Sequence, residues 1–284
     1  MKVSAVGVVV FVACLAFGSL AQGQVGLYLH INARQTTYIP YEPIWFFIQP
    51  ENRGQEPLSY EGLHESVLTV VDSSGHQWPW REIIACPAAV FSLLPGQFGE
   101  TVVVKVLDRC GEGWGSLNSK LPPGRYRAWG AYFTSDTVEF RVREPATLEE
   151  QAAVDLFAQA RSIDEERSYK LSYESYRRVY SGHPHSALGA PALRMLRLLC
   201  NGVTDLDPAI CRNHYCQFLV DYPESPLVES AIHPDFEPDW CVDSLRGSVL
   251  ESLDTVIKSF RGTFIAERAR KLKEKLARDT LSEN

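Results

Sequence analysis

Cysteines are the residues of this chain best suited to chemistry, because thiols either pair as disulfides or bind metal ions. Six of the seven lie beyond the apolar N-terminus, and an even number is typical of a disulfide-bonded protein in an oxidising compartment. Two fall in the first half of the chain and four in the second, where three connectivities are open. The predicted pairs are Cys86–Cys110, Cys200–Cys211 and Cys216–Cys241.

A zinc site is the alternative for the four cysteines of the second half, with His214 nearby. Disulfides are favoured because the C-x₂-C spacing, with which a short turn presents two thiolates to one ion, is missing. The chain has no H-E-x-x-H, G-x-S-x-G, P-loop or G-x-G-x-x-G sequence. The acidic stretch HPDFEPDW lacks the glycine and the ligand spacing of a calcium loop. We therefore predict a non-enzymatic protein with no cofactor-binding or metal-binding residues.

The N-terminus predicts export. Lys2 precedes an apolar run that ends in Ser19-Leu20-Ala21, which has the small residues of a signal-peptidase site. Residues 1–21 are expected to be a signal peptide, with cleavage after Gly23 as a second possibility. An uncleaved anchor is the alternative, since the run is close to the roughly 20 residues that span a bilayer. We predict a periplasmic or extracellular protein with no stable membrane insertion.

Composition and charge narrow the class of protein further. A chain of 284 residues with 45% hydrophobic side chains is long enough for two globular domains. The formal net charge of −7 argues against nucleic acid as a partner, because nucleic-acid-binding proteins usually carry a basic surplus. The same acidic balance disfavours binding to an anionic membrane surface.

The first half of the chain alternates apolar and polar residues, as half-buried strands do. Residues 25–32 follow this pattern, and the segments IWFFIQ, TVVVKV and TVEFRV are further strand candidates bounded by turn residues. About seven such strands without a helical period predict a β-sandwich over residues 24–144.

The segments YIPYEPIWFFIQPENRGQEPLSY and LPPGRYRAWGAYFTSDTVEFRV resemble strands of bacterial immunoglobulin-like domains, and less closely those of the intracellular proteinase inhibitor family. The resemblance implies an immunoglobulin-like β-sandwich in which Tyr126 bonds back to the backbone of a corner turn. Trp78 and Trp80, in the turn GHQWPWRE, are candidates for a binding surface because exposed indoles anchor interfaces. The other tryptophans of this half are expected to fill its core.

The second half, residues 147–280, predicts helices. Thr147 and Glu150 have the spacing of a capping box. Three stretches then match one another, namely YRRVYSGHPHSALGAPAL, YCQFLVDYPESPLVESAI and LDTVIKSFRGTFIAERAR. Their equivalent residues Ser186, Ser225 and Thr263 recur at intervals of 39 and 38 residues.

Each matching stretch predicts a pair of helices. An apolar i, i+3, i+4 stripe makes one face of the first helix apolar, and the serine or threonine caps the second helix. Because one pair cannot bury such a face alone, consecutive pairs are expected to stack into a solenoid. The stripes consist of Tyr176, Val179 and Tyr180, of Tyr215, Phe218 and Leu219, and of Leu253, Val256 and Ile257. The small residues that let paired helices approach are Ala192, Ala231 and Ala269.

This half resembles the tetratricopeptide repeat (TPR) family, in the divergent YP-x-S-x-x-x-x-x-A form of bacterial envelope proteins such as outer-membrane assembly lipoproteins and cell-division coordinators. It departs from the family in its longer period, in the missing Trp-Leu-Gly signature and in Arg261, which stands where the other copies have proline. The resemblance implies an α-helical TPR-like solenoid with a groove that binds other proteins.

The chain is thus predicted to have two domains, all-β and then all-α. The favoured function is an exported adaptor or scaffold of the bacterial cell envelope, which binds an envelope or extracellular protein through its TPR-like groove. The alternative is a peptidase inhibitor or ligand-binding module acting through loops of the β-sandwich. A basic C-terminal stretch is a solvated face, a docking edge for an acidic partner or a surface for head-to-tail self-association. Its candidate docking residues are Lys258, Arg268, Lys271 and Lys275.

Overall fold

Strands precede helices in this protein. The computed structural model describes residues 26–61, 68–78, 90–106, 121–131, 133–165, 169–200, 203, 206–232, 236, 240–241 and 243–282. The last strand ends at Val142 and the first helix begins at Leu148. The predicted signal peptide, residues 1–21, lies outside the described residues.

Two larger sheets and one small sheet make up the strand half. The four-stranded sheet has the order β10-β1-β3-β8, the five-stranded sheet has the order β2-β11-β9-β5-β6, and β4 pairs with β7. The strands are β1 (Leu27–Asn32), β2 (Thr37–Tyr38), β3 (Ile44–Asn52), β4 (Leu58–Glu61), β5 (Leu68–Asp72), β6 (Gln77–Trp78), β7 (Val90–Leu93), β8 (Val102–Val106), β9 (Gly124–Gly130), β10 (Thr134–Ser135) and β11 (Val138–Val142).

Both larger sheets are mixed, so the predicted immunoglobulin-like β-sandwich is wrong. β10 runs parallel to β1, with Tyr28 opposite Thr134, and β2 runs parallel to β11, with Thr37 opposite Arg141. Immunoglobulin-like domains are built from antiparallel sheets instead. Apolar alternation predicts which face of a strand is buried, but it does not show the direction of the neighbouring strand. The resemblance to immunoglobulin-like domains therefore implied the wrong sheet topology.

The inward faces of the two larger sheets share one apolar core. Phe46 of β3 packs against Phe140 of β11, with ring centroids 5.7 Å apart, and Tyr126 of β9 stacks on Phe140 at 5.3 Å. The Tyr126 hydroxyl donates to the carbonyl oxygen of Pro122. The predicted bond of this tyrosine to the turn before it is therefore confirmed, although the strand order around it differs.

The helical half consists, within the described residues, of six α-helices and one 3₁₀ helix. They are α1 (Leu148–Glu165), α2 (Tyr169–Gly182), α3 (Gly189–Leu199), α4 (Pro208–Asp221), the 3₁₀ helix Pro226–Ala231, α5 (Asp243–Ser259) and α6 (Phe264–Ser282). Each α-helix packs against the next along the chain. The predicted capping box of α1 is confirmed, because Thr147 Oγ1 accepts the N–H of Glu150 at 3.1 Å and Glu150 Oε2 accepts that of Ala146 at 2.7 Å.

Equivalent residues of the three matching stretches have similar surroundings. The hydroxyl oxygens of Ser186 and Ser225 each accept the N–H two residues later, at 3.3 Å. The Ser186 and Thr263 hydroxyls also donate to the carbonyl oxygen three residues earlier, at 2.8 and 2.7 Å. The predicted cap is confirmed at Ser225 and is wrong at Ser186, because Leu188 precedes α3 and makes no side-chain cap bond. The three small residues are fully buried, as the helix approach requires; they are Ala192, Ala231 and Ala269.

The second stretch departs from the predicted pair of α-helices. After Ser225 the chain forms the 3₁₀ helix Pro226–Ala231, which is only six residues long. Pro234 and Pro238 follow shortly afterwards in the sequence, and proline cannot continue an α-helix because it lacks the N–H donor. The second unit is therefore a helix followed by a single tight segment.

The four-stranded sheet covers one side of the helices. Trp45 and Phe47 of β3 point out of the strand core and contact Phe260, which directly follows α5, with ring centroids 6.3 and 6.4 Å apart. The guanidinium carbon of Arg34 lies 4.5 Å from the Phe47 ring centroid and 5.0 Å from that of Phe260, in cation–π geometry. We call these four residues the aromatic junction.

The turn between α5 and α6, in the third matching stretch, is also joined to the strands through its backbone. Thr263 forms a parallel β-bridge with Thr101. The preceding residue, Gly262, has φ of +80°, a left-handed conformation that glycine adopts without steric cost. The third stretch, which has Arg261 where the other two have proline, therefore forms a turn that contacts the sheet.

A second contact between the halves lies at α1. Tyr41 packs against Phe157 of α1, with ring centroids 5.7 Å apart. Arg143 donates from two nitrogens to the two carboxylate oxygens of Glu150, at 2.7 and 2.6 Å. The Arg143 hydrogen bonds are the main cause that lowers the pKa of Glu150 to about 2, with the Ala146 N–H adding to them. Both halves are thus held where the chain passes from strand to helix.

We expect Trp45→Ala to weaken the aromatic junction. Truncating a fully buried aromatic side chain costs about 3–5 kcal/mol, so we expect about 2–3 kcal/mol for half-buried Trp45. Scanning calorimetry should show a lower Tm and two separated transitions, one for each half. Trp129→Ala, at a half-buried tryptophan of β9, is the matched control. One shared transition of unchanged width in the Trp45 variant would contradict coupling through this junction.

Candidate binding surfaces

Two hydrogen bonds, which join residues with the same separation in the sequence, place α2 beside α4. The Tyr173 hydroxyl lies 2.9 Å from Nε2 of His214, and the Tyr180 hydroxyl donates to Oδ2 of Asp221 at 2.6 Å. Both pairs are separated by 41 residues. Gln217 of α4 also donates to Asp221 one turn away, at 2.8 Å, which holds the Asp221 carboxylate in place. The first helices of two matching stretches therefore lie side by side.

Contacts between the later helices also join residues with a similar separation in the sequence. Lys275 of α6 donates to the carbonyl oxygen of Phe236 at 2.8 Å, across 39 residues. Arg268 of α6 lies 3.8 Å from the carboxylate of Glu229 in the 3₁₀ helix, also 39 residues apart. These two contacts join α6 to the 3₁₀ helix and to the segment that follows it.

The turns of the first two stretches also touch. The hydroxyl of Tyr222 donates to the carbonyl oxygen of Pro184 at 2.5 Å. Gly189, at the start of α3, lies under this contact, because a Cβ there would overlap both the Pro184 oxygen and the Tyr222 hydroxyl. The tyrosine before the proline in the second stretch therefore packs on the turn of the first.

Two disulfides fasten α4 to its neighbours, and both predicted pairings of this half are confirmed. Cys200, after α3, pairs with Cys211 of α4, and Cys216 of α4 pairs with Cys241, just before α5. Their Cα atoms are 5.6 and 5.5 Å apart. These cysteines are oxidised, so they do not supply thiolates for zinc. The predicted pair Cys86–Cys110 lies outside the described residues.

The disulfides also indicate where the protein works. Disulfides form and persist in oxidising compartments, whereas cytoplasmic thiols are kept reduced. The protein therefore belongs to an oxidising, exported compartment. Among the described residues, we find no helix whose length and apolar character would let it cross a membrane.

One of the two tryptophans proposed as a binding surface lies within the described residues. Trp80 lies outside the described residues. Trp78 is half-buried on β6, where its ring packs against His76 at 5.1 Å and Tyr126 at 6.5 Å. Trp78 thus contributes at least part of its surface to the strand core, as the core alternative for these tryptophans predicts.

The proposed basic docking residues occupy two helices. Lys258 is exposed on α5 and has no ion pair within the described chain. Lys271 of α6 lies 3.8 Å from Glu267 one turn away, and Arg268 and Lys275 have the neighbours given above. Lys273, between them, donates to Asp254 at 2.6 Å. Most of the positive charge of α6 is therefore offset by groups of the same chain.

A polar network on the outer face of the four-stranded sheet holds several groups capable of acid–base chemistry. His30 Nε2 lies 2.8 Å from Glu51 Oε2, to which Arg53 also bonds at 2.6 Å, and the Tyr28 hydroxyl donates to Asp136 at 2.6 Å. Bonds from His30 and Arg53 lower the pKa of Glu51, and the bond from Tyr28 lowers that of Asp136. The network is internally satisfied, and it ties the short strand β10 to β1.

The outer face of the five-stranded sheet carries a feature that we did not predict. A cleft of about 540 Å³ lies over β9 and β11, and we call it the arginine cleft. Its sequence signal is arginine at the outward positions of two strands, which becomes a cluster only once the strand register is known. Among its lining residues are Arg125, Arg127, Arg141, Glu139, Thr36 and Thr37.

No arrangement of three His, Cys, Asp or Glu side chains suited to a metal ion occurs within the ranges that the structure describes. The acidic stretch at 233–240 lies mostly outside those ranges. No model of a known protein family matches the chain, and no curated protein matches it in sequence. The function must therefore be inferred from the surfaces of the molecule.

Removing a disulfide should cost measurable stability. In the chain-entropy account, the Cys216–Cys241 bridge, with a sequence separation of 25, contributes about 3.5 kcal/mol. The Cys200–Cys211 bridge, with a separation of 11, contributes about 0.7 kcal/mol less. Urea unfolding of the two paired Cys→Ala variants would measure both. Free thiols at these positions in the unreduced wild type would contradict the pairing.

Acid should destabilise the protein partly through His214. Burial lowers the pKa of His214 to about 4, against about 6.5 when unfolded, so the folded protein keeps the ring neutral. Between these values only the unfolded state takes up the proton, and stability falls as pH drops from about 6.5 to 4. The loss from this residue is roughly 2–3 kcal/mol by linkage.

Thermal melts of His214→Gln across this pH range should show a shallower fall in Tm than the wild type shows. Tyr173 can still bond to the glutamine, whereas the titrating ring is gone. His185→Gln, at an exposed turn position, is the control and should keep the wild-type slope. Parallel curves for wild type and the His214 variant would contradict the assignment.

Proposed function

We propose that this protein is an exported, non-enzymatic adaptor of the bacterial cell envelope, working in the periplasm or outside the cell. Its helical half, which resembles TPR-like repeats in sequence, would bind a segment of a partner protein on the surface built by α2, α4 and α5. The N-terminal apolar run, as a signal peptide over residues 1–21, would direct the export.

The observation that carries this proposal is the pair of bonds at one offset between α2 and α4. Tyr173 meets His214 and Tyr180 meets Asp221, so two matching helices form one continuous surface. The disulfide between Cys216 and Cys241 holds the next unit to the same array. Repeated helices that stack in this way provide extended surfaces for binding other proteins.

Exposed cations on these three helices favour an acidic partner segment. Arg178 on α2, Arg212 on α4 and Lys258 on α5 are exposed, and none has an ion pair in the described part of the chain. Surface cations of this kind steer an acidic partner and define its register more than they add affinity. The basic residues of α6 suit this role less well, because acidic neighbours already offset them.

Site-specific photo-crosslinking in the native envelope tests the proposal. A crosslinking amino acid placed in turn at positions 178, 212 and 258 should capture one and the same partner. Position 274, exposed on α6, serves as the control and should not capture it. The mass of the adduct, followed by peptide sequencing, would show whether the captured segment is acidic.

Charge reversal provides the quantitative arm of the same experiment. Arg178→Glu combined with Lys258→Glu should lower the crosslinking yield at position 212 about tenfold, while Lys271→Glu should leave it unchanged. Equal capture from position 274, or a yield that does not respond to the reversals, would count against an acidic partner on this surface.

A further inference from the structure

We propose that the arginine cleft binds a small molecule that carries two or more oxyanion groups, either carboxylates or phosphates. This site lies on the strand half and goes beyond the proposed binding of a protein by the helices. Its volume of about 540 Å³ falls within the range of roughly 300–1,000 Å³ typical of small-molecule sites.

Strand register brings like charges together in the cleft. Arg125 of β9 lies directly opposite Arg141 of β11, and both side chains are exposed on the outer face of the sheet. Opposed residues of antiparallel strands have their Cβ atoms about 4.5–5.5 Å apart, and like charges there are destabilising. An anion bound between two arginines at such positions removes this repulsion.

The guanidinium groups are also largely uncommitted. Arg141 donates from Nε to Thr37 Oγ1 at 3.2 Å and keeps its other donors. Neither Arg125 nor Arg127 has a hydrogen bond or ion pair from its side chain within the described residues. Planar guanidinium groups present paired donors that match carboxylate and phosphate oxygens.

The two carboxylates that line the cleft are outnumbered by its three arginines and form no ion pair with them in the described residues. Asp72 is used by its own turn, where it accepts from the Ser74 hydroxyl at 2.6 Å and from the backbone N–H of His76 at 3.0 Å. Glu139 lies opposite Arg127 in the strand register, yet the two side chains form no ion pair in the described structure. The cleft therefore retains positive charge in a chain whose formal net charge is −7.

The spacing of the arginines specifies the kind of ligand. Arg125 and Arg127 are two positions apart on one strand, which places their Cα atoms about 7 Å from each other. One oxyanion can bind between Arg125 and Arg141 while a second reaches Arg127. A long polyanion laid across the face would meet the carboxylates of Asp72 and Glu139, so a small molecule suits the cleft better than a polymer.

Calorimetric titration of the full chain tests this assignment, in low-salt buffer without phosphate. Citrate or pyrophosphate should bind with a Kd below about 1 mM, and acetate, with its single group, at least tenfold more weakly. Preference for citrate would identify carboxylates as the ligand groups, and preference for pyrophosphate would identify phosphates. Arg125→Gln and Arg127→Gln should each weaken binding about tenfold or more, since each removes charge-assisted hydrogen bonds.

Matched variants make the outcome decisive. Arg261→Gln, at an exposed arginine of the turn before α6, should leave the titration unchanged, while Arg125→Lys should weaken it because an ammonium lacks the planar fork. Arg125→Gln should melt at the same or a higher temperature without ligand, since it removes a like-charge pair. Absence of heat with both anions would overturn the proposal. So would heat that Arg125→Gln leaves unchanged, or binding of heparin alone.

Discussion

The packing of Phe260 against β3 is the contact on which the joining of the two halves depends. The last unit of a helical stack has no following unit to cover its apolar side, so another surface must do so. Here Trp45 and Phe47 provide that surface, and Arg34 closes it. The same contact explains why IWFFIQ is apolar almost without interruption, because this part of β3 is covered on both faces.

The helical content of the second half was predictable because its sequence constraints are local and recur along the chain. A stripe of apolar residues and a small buried alanine have the same physical meaning in each copy, whereas the serine or threonine caps a helix only at Ser225. The capping box at Thr147 follows from local spacing, whereas the disulfides of α4 are one of the three connectivities that the sequence leaves open. The 3₁₀ helix after Ser225 was not predicted, since cap and apolar pattern alone do not state how far a helix continues.

The strand half was predictable in its faces and not in its pairings. Alternation correctly indicates that Phe140 points inward, but β2 and β10, with two residues each, carry no pattern that would reveal them as parallel edges. The arginine cleft has the same origin, because Arg125 and Arg141 become neighbours only through register. Conversely, the basic residues of α6 are evident in the sequence, whereas the approach of Glu229 to Arg268 depends on how the helices pack.

The strand half meets the helices at both ends of their array, through Tyr41 at Phe157 and through Thr101 at Thr263. A free stack of helical pairs can gain or lose units at its ends with little effect on those that remain. In this molecule one extra pair would separate Thr263 from Thr101 by at least the roughly 8–10 Å between packed helices. The number of units is thus fixed by the distance between two anchorage points. Inserting another helical hairpin into this chain would therefore break one of the two contacts.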